Sequence, residues 1–290
     1  MPGVILTVAC YTLSSLGDKQ ISQKLKCSPA EFAFIVSAAS MMWLLFTIPF
    51  MGWGLTINVR NGVILLFLTG CKFLEFYTSA ILLKSVSAYE LKAWLGINIV
   101  ISYLYNVVKG IYQWDFVVSL FFALLLVGIV LIMAGQRDLA EKGEGAGKKK
   151  LSKKKEMKLC SLFLLFIFSK LFYGMLIGRM TEGCKTTSVL FVVLLLTAVL
   201  QLPRIHIREV MEKKGIQGAV LTRIPNALGL ILEAFVAAEN LFFYAMIQPI
   251  QLALLFLVSL FKKEPMGKKK LAGSLICIAS VVAVTLVIYQ

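Results

Sequence analysis

Apolar residues along this chain come in long unbroken runs, and polar residues gather in the gaps between them. The runs fall at about 4–23, 31–51, 62–83, 88–108 and 114–134, then at about 159–178, 187–202, 217–237, 241–261 and 271–289. A helical run of roughly 17–22 residues crosses a ~30 Å hydrocarbon core. A soluble core helix would need a polar face, and runs such as 116–133 have none. The pattern predicts an all-α polytopic membrane protein of ten transmembrane helices. The widest gap, residues 136–158, has nine basic and four acidic side chains and no aromatic one. It is too polar to offset its own ordering entropy and reads as a solvated linker. The chain thus divides into a first five-helix half at 1–135, a basic linker at 136–158 and a second five-helix half at 159–290.

Five is an odd number, so two halves of one fold must sit in opposite orientations, as inverted repeats. A shift of about 150 residues places Asn98 on Gln248 and Trp114 on Glu264, and a shift of 151 places Lys72 on Arg223 and Glu75 on Asn226. Charge sets the orientation. The odd-numbered connections hold Lys24, Lys26, Lys84, the nine basic residues of the linker, Arg204, Arg208, Lys213, Lys214, Lys262, Lys263, Lys268, Lys269 and Lys270. The even-numbered ones hold only Arg60, Lys109, Arg179 and Lys185. By the positive-inside rule the linker is cytoplasmic and both termini face outward, and the Lys-rich composition and short linker suggest a plasma or inner membrane.

Composition narrows the function. The 290 residues are 59% hydrophobic with a formal charge of +15. In a soluble protein that charge would point to nucleic acid, but here it faces an anionic lipid surface, and no nucleic-acid partner is expected. The six cysteines form no CxxC pair and read as small buried hydrophobes. His206 is the single histidine, and no HExxH or Ser/His set is present, so neither a metal, a cofactor nor an enzymatic role is expected. Met1-Pro2-Gly3 lacks the basic start of a signal peptide.

Charged residues inside the runs are the informative exceptions. A charge near a helix centre costs about 2.5–3.5 kcal/mol on insertion scales, so such groups face a bundle interior or a wet cavity. Lys72 and Glu75 are three apart in the third span and share a face. Arg223, Asn226, Glu233 and Asn240 fall within an arc of about 100° on the eighth. Asp18 and Lys19 lie late in the first span, Lys170 and Tyr173 in the sixth, Glu90, Lys92 and Asn98 in the fourth, and Gln248 and Gln251 beside Pro249 in the ninth. The substrate-binding candidates are Lys72, Glu75, Arg223, Asn226, Glu233, Lys19, Lys170, Asn98 and Gln248. Cations and carboxylates among these groups nearly balance, which suits a zwitterionic or anionic solute. Interhelical ion pairing with no solute involved is the structural alternative.

The most specific stretch is Gln248-Pro249-Ile250, an apolar run, Lys263-Glu264-Pro265, then Lys270-Leu271-Ala272-Gly273. It resembles the closing hairpin of EamA-like members of the drug/metabolite transporter superfamily, where a loop glutamate follows the proline by about fifteen residues. The first half departs from that pattern, with Asn98-Ile99 in place of the proline and Trp114 in place of the glutamate. The resemblance implies ten helices, alternating access, and a cavity lined by the first, third, fourth, sixth, eighth and ninth of them. The expected function is secondary active transport of a small polar metabolite, with Glu75 and Glu233 as candidates for coupling to a proton or cation. The sequence leaves the oligomeric state open. Two other readings stand: a membrane scaffold or receptor that docks partners through its basic linker, and an exporter of cationic drugs or quaternary amines. Deleting residues 144–155 separates a docking protein from a carrier. A carrier keeps its solute flux in proteoliposomes, and a docking protein loses its bound partner.

Overall fold

The computed structural model describes the backbone of residues 2–19, 25, 27–84, 88–143, 153–180, 183–261 and 267–288, and their side chains except at 16–19, 88–90, 136–143, 153–156, 158 and 259. Among these residues every regular element is a helix and none is a strand. In chain order they are α1 (Pro2–Lys19), α2 (Pro29–Leu45), α3 (Ile48–Met51), α4 (Val59–Leu82), α5 (Ala88–Leu95), α6 (Ile97–Val108), α7 (Phe116–Gly143), α8 (Lys153–Met180), α9 (Thr186–Val199), α10 (Ile207–Met211), α11 (Ile216–Leu221), α12 (Arg223–Glu239), α13 (Leu241–Phe261) and α14 (Lys268–Ile288). Each apolar run of the sequence contains helix. Among the described residues, eight helical stretches are long and apolar enough to cross a bilayer, and the shorter apolar helices are Pro2–Ser15 and Pro29–Leu45.

Local chemistry sets the boundaries. Ser28 begins α2 with a capping box, accepting from Glu31 N while its own N–H donates to Glu31 Oε2 at 2.6 Å, with Pro29 as the first helical residue. The Asn58 side chain accepts from Asn61 N at 2.8 Å and caps α4. Asp115 accepts from Val117 N at 2.6 Å at the start of α7. The fourth run breaks at Gly96, between α5 and α6. The eighth breaks at Thr222, where Pro225 lacks an N–H and its ring would press on the carbonyl of Leu221. Pro249 is accommodated inside a continuous α13. The segment 203–215 turns through a 3₁₀ element at Leu202–Arg204, then α10, and ends at Gly215 with φ +100°, a left-handed conformation that favours glycine.

Helix α7 continues to Gly143 and α8 begins at Lys153, so both ends of the 136–158 segment are helical. Ala, Leu, Glu and Lys are good helix formers, and extending an existing helix skips the costly nucleation step. Residues 144–152 lie outside the described residues, as do Lys262, Lys263, Glu264 and Pro265 of the hairpin motif.

The chain forms two compact units, each built from a segment of both halves. The first comprises Met1–Val86 and Leu162–Tyr244, and the second Ser87–Ser161 and Ala245–Gln290. In the first, α1 packs on α12, α2 on α9, α4 on both α2 and α9, and α12 on α2. In the second, α7 runs against α14 and α5 packs on α7. The α7–α14 contact depends on absent side chains. A Cβ on Gly128 would lie 2.6 Å from Cys277 Sγ, and one on Gly273 would lie 2.6 Å from Gly128 O. Only 33% of the spanning window of α7, and likewise of α14, is buried. The rest of α7 presents Phe116, Leu120, Leu124, Val127 and Val130 outward, a surface suited to hydrocarbon and not to water.

This packing generates a stability prediction. Gly273→Leu should lower stability by about 1–3 kcal/mol through overpacking. Gly70→Ala, where an added Cβ meets nothing within 4 Å, should leave it unchanged or raise it slightly. Thermal unfolding of the detergent-solubilised protein measures both.

Candidate functional site

Four of the candidate residues meet inside the first unit. Lys72 and Glu75 come from α4, Lys170 from α8 and Glu233 from α12. Lys72 Nζ lies 2.8 Å from Glu75 Oε2 and 3.9 Å from Glu233 Oε2. Lys170 Nζ lies 3.1 Å from Glu75 Oε1 and 2.5 Å from Glu233 Oε1. Each ammonium therefore touches both carboxylates, and the four charges close into a ring of zero net charge. The ring is buried: Lys72 is 1% exposed, Lys170 4% and Glu233 0%.

Aromatic side chains wall the ring. The Tyr11 hydroxyl donates to Glu233 Oε2. Lys72 Nζ sits 3.8 Å from the centre of the Tyr173 ring and 5.7 Å from that of Phe76. Lys170 Nζ lies 5.6 Å and 5.7 Å from the ring centres of Tyr11 and Tyr244. These faces place negative quadrupole beside positive charge. The Tyr173 hydroxyl is buried with no hydrogen-bond partner among the described residues.

Two glycines seat the tyrosines. A Cβ on Gly229 would come within 2.8 Å of Tyr11 Cε1, and one on Gly174 would collide with the Tyr244 ring. With those side chains absent, Tyr11 reaches Glu233, and the Tyr244 hydroxyl donates to Lys170 O at 2.7 Å. Gly178, four residues beyond Gly174, meets Ala237 O in the same manner. The GxxxG spacing of α8 therefore serves close packing.

The remaining candidates lie elsewhere. Asn226 accepts from Ser14 Oγ at 3.4 Å and donates to Ser40 Oγ at 2.8 Å. Arg223 donates to Ser14 O and to Thr222 Oγ1, each at 3.3 Å. These two form a second polar cluster on α12, about 10–15 Å from Glu233 along the helix at 1.5 Å per residue. Gln248 and Asn98 belong to the second unit. Gln248 Oε1 accepts from Lys92 Nζ at 3.1 Å, and Asn98 is buried on α6. Lys19 ends α1, and its side chain lies outside the described residues. Tyr11 and Tyr244 are site residues that the sequence reading does not single out. Helical spacing carries a signal for each, since Tyr11 is three and four residues before Ser14 and Ser15, and Tyr244 is four before Gln248. No group of His, Cys, Asp and Glu able to hold a metal occurs among the described residues.

No family model and no curated protein matches the chain. Solved structures do, and one crystal structure of a protein aligns with a TM-score of 0.66 at 12% identity, over 99% of this chain and 97% of its own. At that identity the match shows a shared fold.

Removing one member of the ring strands the others. Glu233→Leu should cost about 3–5 kcal/mol, because it leaves an uncompensated buried charge. The double variant Lys170→Met/Glu233→Leu should lose less than the sum of its two single variants, since the charges leave together. A double-mutant cycle on thermal unfolding tests this. Strict additivity would mean that the two side chains do not interact.

Proposed function

We propose that this protein is a secondary active transporter that moves a small zwitterionic or anionic metabolite by alternating access, with the Lys72–Glu75–Lys170–Glu233 ring as its binding site. The observation that carries this reading is that two lysines and two glutamates are buried together at zero net charge among aromatic faces. A bundle that needed only stability could use apolar packing at this place, because buried ion pairs seldom repay their desolvation. A zwitterion can exchange with such a ring. Its carboxylate takes the place of Glu75 or Glu233 on a lysine, its ammonium takes the place of a lysine on the released carboxylate, and no net charge is added to a low-dielectric site. An anion can enter together with a proton. A proton that neutralises one carboxylate of the ring loosens its hold on both lysines and keeps the balance, which couples the solute to a proton gradient.

The architecture that goes with this reading is ten transmembrane helices in two inverted five-helix repeats, 1–135 and 159–290, as in the drug/metabolite transporter superfamily that the sequence resembles. Reciprocal packing supports it. The second helix of one half, α2, pairs with the second of the other, α9, and the fifth, α7, pairs with the fifth, α14. The third helix of each half, α4 and α12, packs on the second helix of the opposite half. A pseudo-twofold axis would produce this set of contacts. In this reading the protein lies in a plasma or inner membrane with its basic linker in the cytoplasm.

The aromatic faces also fit an organic cation, which is the reason to keep cation export as a second reading. A thermal-shift panel on the purified protein separates the two. A ligand present at about 100 times its Kd adds roughly 2.7 kcal/mol of stability. Amino acids, sugar phosphates or nucleotide sugars should stabilise the native chain, lose that effect in Lys170→Met, and drive counterflow in proteoliposomes. Stabilisation by quaternary amines alone would replace the zwitterion reading with cation export. Absence of both stabilisation and counterflow for every class would favour the scaffold reading.

A further inference from the structure

Helix α6, in the second unit, carries Asn98, Ser102 and Asn106 at intervals of four residues, so the three stack along one face about 6 Å apart. They are 2%, 0% and 3% exposed. Asn98 Oδ1, Ser102 Oγ and Asn106 Nδ2 each have no hydrogen-bond partner among the described residues. Tyr173 and Gln201 also hold buried side-chain atoms without a partner among the described residues, but they stand singly and form no row at four-residue intervals. The hydroxyls of Thr7, Thr12, Ser15, Ser37, Thr69 and Thr197 all donate to the carbonyl four residues earlier. No such bond runs from Ser102 to Asn98 O, and the Ser102 hydroxyl is left without a partner.

Buried polar atoms are almost always paired, with protein or with water. Inside a bilayer an unmet donor or acceptor is costlier, since lipid offers nothing in exchange. Three unmet groups in register on one face call for a shared partner. Hydrogen bonds between oxygens span about 2.7–2.8 Å, so one water between successive side chains fits a spacing near 6 Å. Each asparagine can donate and accept, and serine can do both, so the row reads onto water in either direction. Residues 97–108 include no charged side chain, which leaves the face without preference for an ion of either sign. The row ends at Asn106, two residues from Val108, which is 85% exposed.

We infer that this face of α6 binds a file of water molecules, forming a neutral hydrated path into the second unit from the Asn106 end. The inference requires that α6 lie in a membrane, but it does not depend on the identity of any solute or on the charged ring of the first unit.

Radiolytic footprinting uses water itself as the probe. Ser102→Cys and Asn106→Cys are made separately in the otherwise native chain, reconstituted in liposomes in ¹⁸O-water and exposed to a brief X-ray pulse. Oxidation is then mapped by peptide mass spectrometry. Native Cys277, packed against Gly128 of α7 with its thiol already directed to Leu125 O, is the dry reference in the same sample. The expected result is ¹⁸O incorporation at the introduced thiol of each variant at least tenfold faster than at Cys277. Rates equal to that of Cys277 in both variants overturn the inference. Ser→Cys is nearly isosteric, so if the Asn106→Cys variant unfolds, the Ser102→Cys variant decides alone. The readout needs no transport, so a failed solute panel and a failed water path are distinguishable.

Discussion

Lys72, Glu75, Lys170 and Glu233 hold one another in a place where none of them could remain alone. A single ammonium or carboxylate buried among apolar helices would either lose its charge or unfold its surroundings. Four together, alternating in sign and each touching both opposite partners, cancel the field that would otherwise fall on the apolar helices around them. The arrangement ties α4, α8 and α12 together at one point, and a shift of any of these helices breaks at least one pair. A neutral ring with exchangeable partners is also the kind of site that an incoming charged solute can enter without creating an unpaired ion.

Close packing makes the ring possible. Tyr11 and Tyr244 reach it because Gly229 and Gly174 leave room for their rings. The second unit follows the same logic with a different outcome: Gly128 and Gly273 bring α7 and α14 together with no polar bridge between those two residues. Small residues let backbones approach in a medium where apolar surface gains nothing by leaving lipid. What distinguishes the units is the chemistry beside that packing. The first holds the compensated ring of four charges, and the second holds, besides Lys92 on Gln248, the neutral amides and hydroxyl of α6 that carry the water file inferred above.

The apolar runs by themselves determined the helices, because a run long enough to span hydrocarbon must bond its backbone internally. Helix occurs in every one of those runs, and the break at Thr222 follows from Pro225. The solvated-linker reading of 136–158 is coarser. Hydrophobicity alone misses that Ala, Glu, Lys and Leu extend a helix already begun. Local spacing also placed Lys72 beside Glu75, since residues three apart on a helix are neighbours whatever the fold.

Only the tertiary structure decided which distant groups meet. Arg223, Asn226 and Glu233 share one face of α12, so the sequence presents them as one stripe, yet Glu233 joins Lys170 and Tyr11 while Asn226 joins Ser14 and Ser40. Periodicity reports direction around a helix axis and is silent about which neighbour stands opposite at each height. That depends on where helices cross, and the crossings depend on glycines whose effect appears only when a specific ring lies against them. For the same reason the sequence could mark Asn98 as polar and buried but could not show that its carbonyl, with Ser102 and Asn106 above it, would be left without a protein partner among the described residues.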